Sequence, residues 1–240
     1  MDPILNALPD FRTAALVAAL GLAWVLPCAA LAAWLRVRRG VRTPYTRKVF
    51  HFLTIAAATL VQLRWGFGGV MVYGSVVTLV VLYTVARGEG FPFYEAIARD
   101  TDAPHRTRFI LIPLATTAVG GLLANLLFPL AAHVGYMAVA VGDAVGEPVG
   151  TRWGRHRYTV PSLSRRVPAT RSLEGSAAVF VSTALAVGLL LLMGGEPFAR
   201  AAGIAAAVAA ATAAVEAASH HGLDNLTIQV AASAVAALLL

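Results

Sequence analysis

The sequence holds one cysteine, one lysine and few charges of either sign, and each shortage excludes something. Cys28 alone can form neither an intrachain disulfide nor a thiolate zinc cluster. Asp, Glu, Lys and Arg supply 13% of the 240 residues, against about 25% in an ordinary soluble domain. The lone lysine, Lys48, has no glycine loop before it, so there is no Walker A phosphate cradle. HExxH, GxSxG and the protein-kinase catalytic loop are absent as well.

What is present is apolar: 58% of the chain, in runs near 20 residues that recur from end to end. Such runs match the thickness of a bilayer and are too long and uniform for barrel strands. The spacing predicts an all-α, polytopic membrane bundle of about eight transmembrane helices, near 12–36, 48–64, 67–86, 109–127, 129–151, 172–193, 198–219 and 224–240. The net charge of +7 is concentrated in three loops: Arg36 to Lys48, Arg87 to Arg108, and Arg152 to Arg171. In an alternating eight-span arrangement all three loops face the cytoplasm and both termini lie outside. That distribution accounts for the charge without nucleic acid as a partner. Residues 1–46 read as an anchor helix with a basic cytoplasmic loop, and 47–240 as a catalytic membrane region of the same structural domain. A prokaryotic plasma membrane or an ER-type membrane suits this build, with a homodimer as an allowed assembly.

The chemistry concentrates in residues 142–176. Asp143 and Glu147 are four apart and share a helix face where lipid disfavours charge, at a cost of about 2.5–3.5 kcal/mol each on insertion scales. Two carboxylates beside arginines suit a hard divalent cation, such as Mg²⁺, held with phosphate oxygens. Gly142, Gly146, Gly150 and Gly154 keep the same spacing, which is also that of close helix packing. Pro148 predicts a bend beside Glu147. Arg152 and Arg155 offer planar forks for phosphate, and Arg165 and Arg166 lie further along the same loop. Arg171-Ser172-Leu173-Glu174-Gly175-Ser176 opens a span, and a helix N-terminus of that kind can receive an anion or simply be capped by Ser172. Lys48 and His51 share a face at the start of the second span. Glu216, His220, His221, Asp224 and Asn225 surround the last turn. Phe91-Pro92-Phe93-Tyr94 reads as an interfacial aromatic loop that could guide a lipid.

These motifs resemble the CTP-dependent polyprenol kinase family, which includes dolichol, phytol and farnesol kinases and the yeast-type CTP-using diacylglycerol kinase. The resemblance rests on Arg47-Lys48-xx-His51, on Gly142-Asp143 with the glycines at 150 and 154, on Arg171 to Ser176, and on Asp224-Asn225. It implies transfer of the γ-phosphate of CTP, with a divalent metal, to a long-chain lipid alcohol. The alcohol would come from the bilayer and the nucleotide from the cytosol. By the same resemblance Asp143 is the essential acid and a metal ligand, with Glu147 beside it. Lys48, Arg152, Arg155, Arg171, Ser172, Gly175, Ser176 and Asn225 contact nucleotide or phosphate, and Asp224 or His51 takes the alcohol proton. Arg171 stands where the family usually has lysine, and Glu147-Pro148 where many members have small or apolar residues. Two other readings stay open: a phosphatidate cytidylyltransferase-like enzyme, and a proton-coupled carrier that is no enzyme.

Overall fold

The computed structural model describes residues 9–160, 169–219 and 222–240. It shows an all-α membrane protein with one small hairpin. The helices are α1 (Phe11–Arg39), α2 (Thr43–Arg87), α3 (Pro92–Ile97), α4 (Arg108–Leu127), α5 (Ala132–Trp153), α6 (Leu173–Met193), α7 (Phe198–Ala218) and α8 (Asp224–Leu239). Strands β1 (Arg157–Val160) and β2 (Ala169–Ser172) join α5 to α6. By length and composition, α1, α2, α4, α6 and α7 are each long and apolar enough to cross a membrane. The chain divides into two compact units, Met1–Leu114 and Ala115–Leu240.

The first unit is built on α1 and α2. Asp10 caps α1 by accepting from the amides of Arg12 and Thr13. Val17, Gly21, Val25, Cys28 and Ala32 recur every three or four residues and form its buried face. Leu16, Leu20, Leu26, Leu31 and Trp34 point outward instead. Small residues inside and large apolar ones outside is the pattern of a helix whose solvent is lipid.

α2 is continuous in sequence but not straight. Gly66 adopts φ 63° and ψ −158°, a region that only glycine enters readily. The Tyr73 hydroxyl donates to the Thr54 carbonyl at 3.0 Å. Nineteen residues of unbroken helix would hold those groups about 28 Å apart. The two arms therefore fold back on each other at Gly66, where the sequence also separates one span from the next. α1 lies against both arms, with Trp24 donating to Leu53 O and Gly21 facing Tyr73.

Part of the aromatic loop is buried within the protein. Phe93 and Tyr94 are buried in α3, Phe93 lies edge-on to Phe50 at 4.7 Å, and the Tyr94 hydroxyl bonds Thr107. Thr43 and Thr46 of α2 fasten the same short helix by donating to the carbonyls of Glu95 and Ala96. Beside it, Arg106 binds Glu95 at 2.7 Å, Asp100 at 3.3 Å and Glu89 at 3.4 Å, while Arg36 reaches Asp100 at 3.0 Å. Burial pushes the Glu95 carboxyl up. The hydrogen bonds from Arg106 and the Gly90 amide, with the charge of Arg106, outweigh that and leave it below its usual range.

In the second unit α5 packs on α6 and α8, and α7 completes the ring against α6 and α8. Pro148 does not end α5: the helix runs through it to Trp153. The proline has no amide hydrogen to donate to Ala144 O.

Gly66→Ala is expected to lower stability by about 1–3 kcal/mol, read as a fall in thermal-shift midpoint. The Glu95–Arg106 pair gives a second expectation. Its stabilisation is present above the unfolded carboxyl value of about 4.3 and lost as pH falls through the lowered folded value. The midpoint difference between wild type and Glu95→Gln should thus be full at pH 7 and vanish in acid.

Candidate active site

The site begins with a close helix crossing. A Cβ on Gly175 of α6 would stand 3.0 Å from Gly146 O and 3.3 Å from Gly150 Cα of α5. A Cβ on Gly146 would meet Val179 at 2.6 Å, and one on Gly154 would meet the Ser172 hydroxyl at 2.6 Å. A Cβ on Gly142 would stand 3.2 Å from both Thr183 and Thr212. The glycine repeat is therefore the groove into which α6 settles. Asp143 and Glu147 each follow a groove glycine by one residue, so they emerge half-buried at the edge of this contact.

The hairpin continues from the crossing. Tyr158 pairs with Arg171 in antiparallel register, so both side chains stand on one face. The Tyr158 hydroxyl shares a 2.7 Å hydrogen bond with Ser176, and the Ser176 hydroxyl also reaches Glu216 on α7. The Arg171 guanidinium forms an ion pair with Glu216 and another, at 3.2 Å, with Asp224 of α8. It also approaches Ser219 O at 3.4 Å. The remaining Asp224 oxygen accepts from the Asn225 amide at 3.1 Å. Five elements thus close one polar ring: β1, β2 and the ends of α6, α7 and α8. All three charged side chains in it are largely buried.

Of the residues singled out in the sequence, Arg171, Ser176, Asp224 and Asn225 come together here. Ser172 and Gly175 lie alongside, with the Ser172 hydroxyl accepting from the Gly175 amide at 3.1 Å as the cap of α6. The Leu173 amide is also used, by His156 O at 3.0 Å. Arg152 and Arg155 are exposed, and neither guanidinium has a carboxylate partner among the described residues. Arg152 lies over the Trp153 ring at 5.2 Å. His156, on the hairpin's approach, contacts Glu174 at 2.8 Å. Lys48, buried, and His51, half-buried, stand on the first arm of α2 in the first unit. Arg165, Arg166, His220 and His221 fall outside the described residues. Among the described residues no group of three or more His, Cys, Asp or Glu is placed to hold a metal ion.

Two members of the ring were not assigned a role from sequence. Glu216 is 45 positions from Arg171, a separation across which no local periodicity operates. Tyr158 lies in a loop whose arginines read as topological charge. The signal for Glu216 was its position two residues from the end of an apolar helix, where an acid has little reason to stand unless it is paired.

Breaking a buried pair leaves its partner charged and alone, which costs about 3–5 kcal/mol. Glu216→Gln is therefore expected to lower the thermal midpoint strongly. Glu196→Gln removes a more exposed i,i+4 pair with Arg200 and should cost no more than about 1 kcal/mol.

No protein-family model matches the chain, and no solved structure matches it. A curated protein does: the phytol kinase of Synechocystis sp. is 28% identical over 198 residues, which span 80% of this chain and 77% of that one. The aligned length covers far more than the short motifs from which the resemblance was read. The chain is thus similar to a phytol kinase over four-fifths of its length, in keeping with the resemblance to the polyprenol kinase family.

Proposed function

We propose that this protein is a membrane kinase that moves the γ-phosphate of CTP onto a long-chain isoprenoid alcohol. The observation that carries the reading is the similarity to a phytol kinase over four-fifths of the chain. Supporting it, Arg171, Ser176, Asp224 and Asn225 are gathered at one end of the second unit, next to the arginines of the α5–hairpin junction. We place that end in the cytoplasm, in an eight-span arrangement that counts the two arms of α2 separately.

In the transfer, the alcohol oxygen forms a bond to the γ-phosphorus as the bond to the β-phosphate oxygen breaks. CDP leaves, and the alcohol proton passes to a base. Positioning and charge neutralisation dominate such chemistry. Arg152 and Arg155, exposed and without carboxylate partners among the described residues, are assigned to the phosphates, with the start of α6 as a further contact. Arg171 is committed to Glu216 and Asp224, so its first task is to hold Asp224 in place. Asp224 and His51 are the candidates to receive the proton.

Asp143 and Glu147 fit a divalent cation such as Mg²⁺. Two carboxylates on one helix face suit an ion that keeps several waters and takes its other ligands from phosphate oxygens. Asp143 and Glu147 would hold the ion, which would supply positive charge to the phosphates.

The test is incubation of the purified protein with CTP labelled at the γ-phosphate and with polyprenol, phytol or diacylglycerol. Labelled lipid from an isoprenoid alcohol is expected. No labelled lipid from any acceptor would sink the proposal. Label from the α-phosphate in lipid, with pyrophosphate released, would make the protein a cytidylyltransferase instead. Asp143→Asn should lower kcat by about 10²–10³-fold, the scale of losing one preorganised electrostatic contact.

A further inference from the structure

A histidine and a glutamate without a role in the proposed transfer fasten the α5–β1 junction to the first turn of α6. The Nδ1 atom of His156 and Oε1 of Glu174 lie 2.8 Å apart. The His156 amide donates to the same carboxylate, at 3.3 Å from each oxygen. In return the Leu173 amide donates to His156 O at 3.0 Å. Backbone and ring are held together, so the ring is oriented although 74% of the side chain is exposed.

The partner decides which ring nitrogen carries the proton. An ionised carboxylate only accepts, so the hydrogen bond to Glu174 requires the proton on Nδ1. In the neutral ring the lone pair then sits on Nε2, at the edge away from Glu174. No protein atom among the described residues bonds Nε2, and the exposure of the side chain leaves that edge open to a reactant. Catalytic bases are commonly built in this way. The carboxylate fixes the tautomer, and it stabilises the imidazolium that forms when a proton arrives.

The neighbours say which proton that is. Arg155 precedes His156 and Arg152 stands in the last turn of α5; both are exposed, and the proposed transfer assigns both to the phosphates. An alcohol attacking a phosphate held by those arginines arrives at the same end of the second unit. Asp224, by contrast, engages Arg171 with one oxygen and the Asn225 amide with the other. Resting on the reading of the protein as a lipid-alcohol kinase, we infer that His156 is the general base of the transfer and that Glu174 is its positioning residue. As the alcohol oxygen bonds the γ-phosphorus and the bond to the β-phosphate oxygen breaks, the alcohol proton moves to Nε2. The exposed ring then releases it to solvent.

The experiment assays the full-length protein, His156→Ala and Glu174→Gln with γ-labelled CTP and phytol or polyprenol, each below its own thermal midpoint. His156→Ala is expected to lower kcat by about 10²–10³-fold and to leave KM for CTP within about two-fold. Added imidazole should recover about ten-fold or more of that loss without stimulating the wild type, and more basic imidazoles should recover more. Glu174→Gln can donate to Nδ1 and so favours the wrong tautomer; its kcat should fall by about ten-fold or more. Retention of about a third or more of wild-type kcat by His156→Ala overturns the inference. So does a loss that imidazole leaves unrestored, since the vacated position is open to solvent. Label trapped on the protein when the alcohol is omitted would make His156 a nucleophile and overturn it as well. Absence of labelled lipid from the wild type is a separate result, which removes the kinase reading and the inference with it.

Discussion

The approach of α5 to α6 governs the second unit. Backbone meets backbone at Gly146, Gly150 and Gly175, and a methyl group on any of them would collide or crowd. In lipid, apolar surface gives little preference for one helix face over another, so close backbone packing must supply it. The glycine groove does so, and it fixes three further things. It sets the height at which Asp143 and Glu147 emerge. It places the first turn of α6 beside the last turns of α5. It also leaves the intervening hairpin only a short distance to bridge, so that Tyr158 and Arg171 point at the ends of α7 and α8.

The polar ring is the electrostatic counterpart of that crossing. One arginine between two carboxylates carries a formal charge of minus one, in surroundings that favour neutrality. The fork of arginine is what makes the arrangement feasible, since one end reaches Glu216 while the other reaches Asp224 and a backbone carbonyl. A lysine at position 171 would present a single point charge and could not span both acids in this way. The exposed arginines at 152 and 155 differ in kind: among the described residues neither guanidinium has a carboxylate partner.

Much of the helical layout was legible because lipid imposes a simple rule on length and polarity. The break between the second and third apolar runs fell where Gly66 reverses the chain, and the runs from 109 to 240 correspond to α4 through α8. The local hydrogen bonding of the site was much less legible. Strands of four residues, in a loop crowded with arginine, carry too little alternation to stand out from topological charge. The burial of Phe93 and Tyr94 was not legible because the sequence around them reads as a loop, which the threonines of α2 fasten by its carbonyls. Pro148 signalled a bend beside Glu147; α5 continues through it to Trp153. Pairings such as Arg171 with Glu216, or Asn225 with Thr117, join residues far apart in the chain and become visible only when the helices are placed.

The reversal at Gly66 has a further bearing on how this protein can change over evolutionary time. Loops usually absorb insertions and deletions, because extra residues there leave the flanking elements in phase. α2 has no loop at its turn. One residue gained or lost near Gly66 would rotate the second arm by about 100° and swing Tyr73 away from Thr54. Residues 43–87 are therefore a stretch whose length is fixed: substitutions can accumulate along its lipid-facing surface, while changes in residue number are barred.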